Sequence, residues 1–161
     1  MNRTLEQRRA AYALEFVTRN TGEQANQLDT HIQNTPIRIL QNGLGQALAF
    51  LLANNERKSG AERKASGLLY DHLEVWLCGP RNDDMPCRIY DGQQCNLMKQ
   101  LITGERSQYL LAQDESLALF AWLKMFAKAY LSDDGAEGAS HAEPTCAQPP
   151  SLRRGRVLRS W

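Results

Sequence analysis

Proline is scarce in most of this sequence. Of the six prolines, three lie beyond residue 140, at Pro144, Pro149 and Pro150. A proline inside a helix removes a backbone hydrogen bond, so the first 131 residues are largely free to be helical. The apolar–polar alternation of a strand is also absent over any useful length. We therefore predict an all-α fold, a compact bundle of about five or six helices over residues 1–131.

Long uncharged hydrophobic runs are absent as well. The most apolar stretch, Leu117 to Leu131, contains Lys124 and Lys128, whereas a membrane helix needs about 20 predominantly apolar residues. The N-terminus becomes charged at once, at Arg3 and Glu6, and lacks the apolar segment of a secretory signal. We expect a cytoplasmic protein with no membrane partner.

Metal and redox motifs are lacking. No cysteines form a Cys-x-x-Cys pair, which is the spacing typical of zinc sites. Widely spaced cysteines in a cytoplasmic protein are most simply reduced, partly buried thiols. We expect this of all four, and we expect neither a metal nor another cofactor. The four are Cys78, Cys87, Cys95 and Cys146.

Catalytic motifs are lacking too. The sequence has no Gly-x-Ser-x-Gly or P-loop pattern. Its histidines, His31, His72 and His141, are scattered, and the first two are interpreted as surface or partly buried polar residues. The acidic pair Asp83-Asp84 is interpreted as solvated. Since no nucleophile, base or paired carboxylates can be assembled from these residues, we expect no enzymatic activity.

An excess of one charge is also missing, but positive charge is clustered. Lys and Arg number 19 against 18 Asp and Glu, a net charge of +1, unlike the strongly basic composition of an autonomous nucleic-acid-binding domain. Clustered cations still attract a phosphate backbone, and an aromatic ring between arginines, here Tyr12, can stack a base. The alternative is that the cations only solvate the surface. The clusters are Arg57, Lys58, Arg63 and Lys64 around the Ser59-Gly60 turn, Lys124 with Lys128, and Arg8 with Arg19.

Local signals predict where helices begin. Thr4 and Gln7 match a capping box, so a first helix should start near Leu5. Thr35-Pro36 matches an N-cap followed by proline at the first helical position, which predicts a second helix from there to about Asn54-Asn55. Gly43 and Gly45 fall within this stretch and are attributed to close helix packing.

Three further helices are predicted over residues 61–77, 96–102 and 114–131, with a turn or short hairpin at 81–94. Asp114 and Glu115 suit the positive end of a helix dipole at the start of the last one. Because that helix is apolar on nearly every side, it should be central and buried. Its expected core residues are Leu117, Phe120, Ala121, Leu123, Phe126 and Tyr130.

The composition changes at Ser132. Residues 132–140 have the small and acidic composition of a linker, and a basic segment follows from Arg153 to Arg159. We predict a helical domain over residues 1–131 and a flexible C-terminal tail over residues 132–161.

Several strings together resemble the small subunit of type III-B CRISPR (Cmr-type) effector complexes, in the same order and spacing over residues 5–131. They are Arg8-Arg9-Ala10-Ala11-Tyr12-Ala13, Asn42-Gly43-Leu44-Gly45-Gln46-Ala47-Leu48-Ala49-Phe50, Tyr109 with Glu115-Ser116-Leu117, and Trp122-Leu123-Lys124-Met125-Phe126-Ala127-Lys128.

The resemblance implies a non-catalytic α-helical subunit of an RNA-guided, RNA-targeting complex in antiviral defence. Its implied partners are the backbone and large subunits, neighbouring copies of itself, and the duplex of target RNA with guide RNA. The resemblance also implies that Arg8, Arg9 and Lys124 are basic contacts and that Gly43, Leu44 and Trp122 are packing positions. The chain departs from the family at Met125, where a second basic residue is usual, and at Gln113, where a threonine cap is usual.

The predicted RNA contacts are therefore Arg8, Arg9, Arg19, Arg57, Lys58, Arg63, Lys64, Lys124 and Lys128. An alternative function is a helical protein-binding adaptor without direct RNA contact, in which the apolar flanks of the first helix hold neighbours.

Overall fold

The computed structural model describes residues 3–57, 61–79, 89–90 and 96–131. This part of the chain contains six helices and no strand. The predicted all-α fold is confirmed. Most of the predicted turn at 81–94 and the whole predicted tail at 132–161 lie outside the described residues. The helices are α1 (Leu5–Arg19), α2 (Ala25–Asn42), α3 (Leu44–Arg57), α4 (Ala61–Cys78), α5 (Leu97–Thr103) and α6 (Arg106–Tyr130).

The start predicted for α1 is correct, and the helix predicted over residues 96–102 is α5. The Thr4 hydroxyl accepts a hydrogen bond from the Gln7 backbone N–H, and the Gln7 side chain accepts one from the Thr4 N–H. Asn96 caps α5 through the Lys99 N–H at 2.9 Å, and Gly104 follows its last turn. Both caps satisfy N–H groups that lack partners inside the helix.

The predicted helix from Thr35 to Asn55 is wrong at both its start and its centre. Thr35 and Pro36 lie inside α2 and are buried, and the Thr35 hydroxyl donates to the His31 carbonyl instead of capping a helix. Gly43 ends α2, with a φ of 84°, and α3 begins at the next residue. A left-handed φ suits glycine and interrupts the α-helical path.

The last helix begins earlier than predicted. α6 starts at Arg106. Glu105 is its N-cap and forms a reciprocal capping box with Gln108 in the first turn. Asp114 and Glu115 are therefore in its interior, where the helix dipole gives them no stabilisation. Gln113, interpreted as a helix-end position from the resemblance, is also inside α6 and accepts a hydrogen bond from the Leu44 N–H.

The core lies where α6 packs on α1 and α2, and where α3 packs on α4. Burial of these apolar side chains is the main favourable contribution to folding. The largest fully buried side chains include Trp76, Tyr90, Phe120, Leu28, Ile32 and Ile39.

The prediction that α6 is buried on every side is wrong. Phe120 and Leu123 are buried, and Leu117 and Phe126 are partly buried against the core. Ala121 is exposed, however, and Tyr130 is 53% exposed. One side of α6 is thus an apolar surface rather than core. Within the described ranges, no helix combines the length and hydropathy needed to cross a bilayer.

Cys78 closes α4 and is disulfide-bonded. The expectation of reduced thiols is therefore wrong for this residue. Spacing along the chain does not report the separation of the Cα atoms, which decides whether two cysteines can be bridged.

Candidate nucleic-acid interface

A groove of about 590 Å³ separates α1 from α4. Arginines line it from the α1 side, and apolar side chains line it from both helices. α1 and α4 approach each other mainly through large side chains, which leaves their backbones far enough apart for the groove. The lining residues that matter below are Arg3, Arg8, Arg19, Phe16, Leu68 and Val75.

The rings of Tyr12, Phe16 and His72 line the groove, and the Tyr12 ring also stacks on the buried Trp76. His72 stacks on Phe16 with ring centroids 3.9 Å apart and on Tyr12 at 4.1 Å, and Tyr12 stacks in turn on Trp76 at 4.7 Å. The Tyr12 hydroxyl donates to the His72 carbonyl oxygen at 2.9 Å. The position of Tyr12 between arginines had predicted that its ring could stack a base. Neighbouring rings occupy the faces of Tyr12, so the ring is not available for this role.

His72 is buried rather than at the surface, with 8% of its area exposed. Burial lowers its pKa to about 3, because a low-dielectric environment disfavours the charged imidazolium. Its Nε2 atom has no hydrogen-bond partner among the described residues. His72 is therefore neutral near pH 7 and adds no positive charge to the groove.

Arg8 and Arg19, predicted as a cluster, do line the same groove. The Arg19 side chain is 74% exposed and pairs with Glu15, one helical turn away, at 2.5 Å. An exposed pair of this kind is worth little, about 0.3–0.5 kcal/mol, so the guanidinium can turn to another anion at low cost. The partly buried Arg8 has no ion-pair partner in the described ranges, and its buried Nε has no acceptor there.

Lys64 lies on α4, close in sequence to the groove wall. Phe16 contacts His72 while Tyr12 contacts Trp76, so α1 and α4 run antiparallel, and the Arg19 end of α1 lies toward the start of α4. Lys64 is exposed and lies one helical turn before Leu68 in the groove wall. The groove therefore leads from Arg3 and Arg8, past Arg19, toward Lys64.

The other predicted cations near Lys64 are only partly described. Arg57 is the last residue of α3 and Arg63 lies in the first turn of α4, but their side chains are outside the description. Lys58 lies outside the described residues altogether. Their part in the corner stays a prediction.

The Arg9 guanidinium is not free to bind an RNA phosphate, because it is paired with carboxylates of this chain. Its Nε donates to Glu115 Oε1 at 2.8 Å and one of its terminal nitrogens donates to Oε2 at 2.5 Å. Hydrogen bonds to Glu115 raise the pKa of Arg9 above its ordinary value. The side chain is 13% exposed and also contacts Glu6, so its guanidinium is already bound to two carboxylates.

Sequence reasoning missed this buried ion pair. Glu115 is 6% exposed, and Trp76 Nε1 donates to its Oε1 at 3.0 Å. Thus α1, α4 and α6 are joined at one carboxylate. The partners lie 106 and 39 residues away in sequence, and no local pattern could have linked them.

A second contact between α1 and α6 lies nearer the surface. Trp122 Nε1 donates to Glu6 Oε2 at 2.9 Å. This hydrogen bond, and then the charge of Arg9, lower the pKa of Glu6. Trp122 also stacks on Phe126, with centroids 5.8 Å apart, which is consistent with the packing position implied by the resemblance.

Lys124 and Lys128 are not brought to the groove. On α6 they lie on a different side from Glu115 and Trp122, the residues that contact α1. Lys124 is partly buried and Lys128 is exposed. Neither has an ion-pair partner among the described residues. No group of three or more His, Cys, Asp or Glu within the described ranges is placed to hold a metal ion.

Comparison with known protein families identifies the family of this helical chain. The model of the CRISPR-associated protein family Cas_Cmr5 matches residues 5–130. The chain belongs to the CRISPR-associated Cmr5 family. Membership supports its assignment as a small subunit of type III-B CRISPR effector complexes, with other Cmr subunits as its partners.

A solved structure agrees with this assignment. The chain is similar to a CRISPR-associated Cmr5 family protein from Thermus thermophilus, with 29% identity and a TM-score of 0.58. The match covers 81% of this chain and 100% of the Thermus protein. The Cmr5 match begins at the start of α1 and ends at the last residue of α6, so it includes both helices that form the groove.

Proposed function

We propose that this Cmr5 family protein is a non-catalytic architectural subunit of an RNA-targeting complex in antiviral defence. Copies of it lie beside the backbone subunits and contact the sugar–phosphate backbone of the target RNA paired with the guide. The observation that carries the proposal is the groove between α1 and α4, where Arg3, Arg8 and Arg19 line one continuous surface. Lys64 prolongs this surface toward the predicted Arg57, Lys58 and Arg63 corner.

Phosphate contact fits this surface better than recognition of bases. The stacking of Tyr12 on His72 and Trp76 leaves this ring unavailable to a base, and the charged groups of the groove are flexible cations. Such contacts attract any sequence alike, and in a guided complex base pairing already supplies specificity. A net charge of +1 further favours weak binding by the isolated chain and stronger binding inside the assembly.

Two features support a non-catalytic role. His72, the histidine at the groove, is neutral and enclosed by Phe16 and Tyr12. With a pKa of about 3 it is a neutral imidazole near pH 7 and not the imidazolium that a general acid requires. Arg9, the cation nearest a buried carboxylate, is held in an ion pair that joins helices. Both groups are explained by structural roles.

The predicted contacts divide into groups by location. Arg8 and Arg19 line the groove, and Lys64 lies one helical turn before Leu68 in its wall, so these three are the primary candidates. Lys124 and Lys128 would contact only an RNA segment that passes the other side of α6. Arg9 is the weakest candidate, since its guanidinium is already paired.

An adaptor that binds only proteins is the second candidate. Several large apolar side chains are exposed, among them Leu40 at 71%, Ile102 at 75% and Met125 at 67%. Exposed apolar patches often mark protein interaction sites. Association with the other Cmr subunits, with no RNA crosslinks to this chain, would favour the adaptor.

Matched charge neutralisations test RNA contact. We expect Arg19→Gln with Lys64→Gln to weaken RNA binding by the assembled complex for every target sequence. The slope of log affinity against log salt should fall by about one to two, because each lost phosphate contact removes about one. The control is Lys99→Gln with Arg106→Gln, which removes the same charge from two exposed positions on α5 and α6.

Reversal of the whole corner is the stronger version of this test. Changing Arg57, Lys58, Arg63 and Lys64 to Glu should weaken binding of all RNA sequences alike. If the Arg19→Gln with Lys64→Gln variant and the fourfold Glu variant both bound RNA with the affinity and salt slope of the wild type, the groove and the corner would not be part of the RNA site.

A further inference from the structure

The outer side of α6 is an apolar surface that no other described helix covers. Met125 is 67% exposed, Ala121 is exposed and Ala118 is partly exposed. With Asp114 and Lys128 they lie at intervals of four, three, four and three residues. This is the spacing with which one helix packs along another in a coiled coil.

The surface is self-complementary when two copies of α6 lie antiparallel. Ala121 lies midway between Asp114 and Lys128 in the sequence. If two α6 helices pack antiparallel around Ala121, Asp114 of each lies opposite Lys128 of the other, which makes two identical ion pairs. Neither charge has an ion-pair partner within the described ranges, and both residues are exposed.

Side-chain size follows the same symmetry. In the antiparallel arrangement Met125 of one helix faces the neighbourhood of Ala118 in the other, and the two Ala121 residues meet at the centre. Large side chains opposite small ones allow two helices to approach closely and interlock. Charge and volume therefore point to the same occupant.

We propose that the outer side of α6 binds a second copy of this chain, antiparallel, in a two-fold symmetric pair centred on Ala121. A two-fold contact uses the same surface on both chains and closes on itself, so it differs from a row of copies in a complex. It does not depend on RNA contact. Lys128 would be occupied in the pair and open in the separated chain.

Charge swapping at the two ends tests the pairing. Sedimentation equilibrium of the full chain without RNA, at concentrations up to about 0.5 mM, should show a reversible monomer–dimer equilibrium. Asp114→Lys alone and Lys128→Asp alone each place like charges together at both ends. We expect each to weaken dimerisation about tenfold or more, since both pairs change from attraction to repulsion.

The double variant Asp114→Lys with Lys128→Asp restores opposite charges and should return the dissociation constant to within about threefold of the wild-type value. Asp71→Lys, an equal charge change at an exposed residue of α4, is the control and should leave dimerisation unchanged. Thermal unfolding of each variant checks that the fold is intact.

Three results would overturn the proposal: a wild-type chain that stays monomeric throughout, a dimer indifferent to both single reversals, or a double variant as weak as the single ones. Because no RNA is present, these results are independent of the groove experiment.

Discussion

At the scale of single residues, Glu115 is a buried carboxylate at the junction of three helices. Its carboxylate accepts hydrogen bonds from Arg9 and from the Trp76 indole, and so connects three helices. The family resemblance implied a basic contact at Arg9, next to Arg8 in α1. Burial and partner together decide its role, and neither is encoded by neighbouring residues.

Removal of this carboxylate should destabilise the fold. Glu115→Ala leaves the partly buried Arg9 without its main acceptor, which we expect to lower the free energy of unfolding by about 3 kcal/mol or more. Urea denaturation measures the change. The double variant Arg9→Met with Glu115→Leu should recover much of the loss, because it leaves no uncompensated charge in the interior.

The same experiment separates a structural Arg9 from an RNA-binding one. If Arg9→Met kept wild-type stability and lowered RNA affinity beyond the Lys99→Gln with Arg106→Gln control, the structural role argued for Arg9 would be wrong.

His72 should make stability dependent on pH. In the unfolded chain it takes up a proton below its ordinary pKa of 6.5, whereas in the folded chain it stays neutral down to a pKa of about 3. Stability from this group is therefore lost as pH falls from 6.5 toward 3. By pH 5 the loss should be about 2 kcal/mol.

His72→Phe tests this dependence, because phenylalanine can keep a ring between Phe16 and Tyr12 but cannot titrate. Chemical denaturation at pH 7.5 and pH 5 should show a smaller loss for the variant than for wild type. Parallel pH profiles for the two proteins would contradict the account of His72.

At the scale of helices, the Thr4–Gln7 capping box gave the start of α1 correctly, whereas the Glu105–Gln108 capping box at the start of α6 was missed. Thr35-Pro36 has the same local pattern as a cap, but Thr35 is buried inside α2 and bonds to the preceding turn. Packing therefore outweighed local preference at this position.

The boundary between α2 and α3 depends on one glycine. Gly43 has a φ of 84°, and a Cβ added there would lie 2.8 Å from the Tyr109 hydroxyl. The Gly45 N–H donates to the same hydroxyl at 3.1 Å. The attribution to close packing is correct for Gly43, whereas an added Cβ at Gly45 would make an ordinary contact at 3.7 Å; the position of Gly43 between two helices, against α6, required the three-dimensional fold.

Gly43→Ala should destabilise the protein by about 1–3 kcal/mol from backbone conformation alone, because a φ of 84° with a ψ of 163° is accessible essentially only to glycine, and by more once Tyr109 has to move. Gly22→Ala is the control, since an added Cβ there meets nothing within 4 Å and the φ is not left-handed. Thermal or urea unfolding of both variants gives the comparison. Equal stability of the two would contradict a strained Gly43.

At the scale of the whole molecule, the net charge of +1 conceals an uneven distribution. Arg8 and Arg19, predicted as one cluster on α1, line the same groove, and Lys64 of the α4 cluster lies one helical turn before Leu68 in its wall. The composition of these clusters was visible in the sequence, but their proximity was not. The exposed outer side of α6 was also missed, because a helix apolar on every side gave no sign of which side stays uncovered.

RNA–protein crosslinking in the assembled complex, mapped by mass spectrometry, tests the proposed RNA contact most directly. The account predicts crosslinked peptides from residues 3–19 and from residues 57–68, which include the groove and its basic corner. Efficient crosslinks to the other subunits, with none to either segment of this chain, would contradict it.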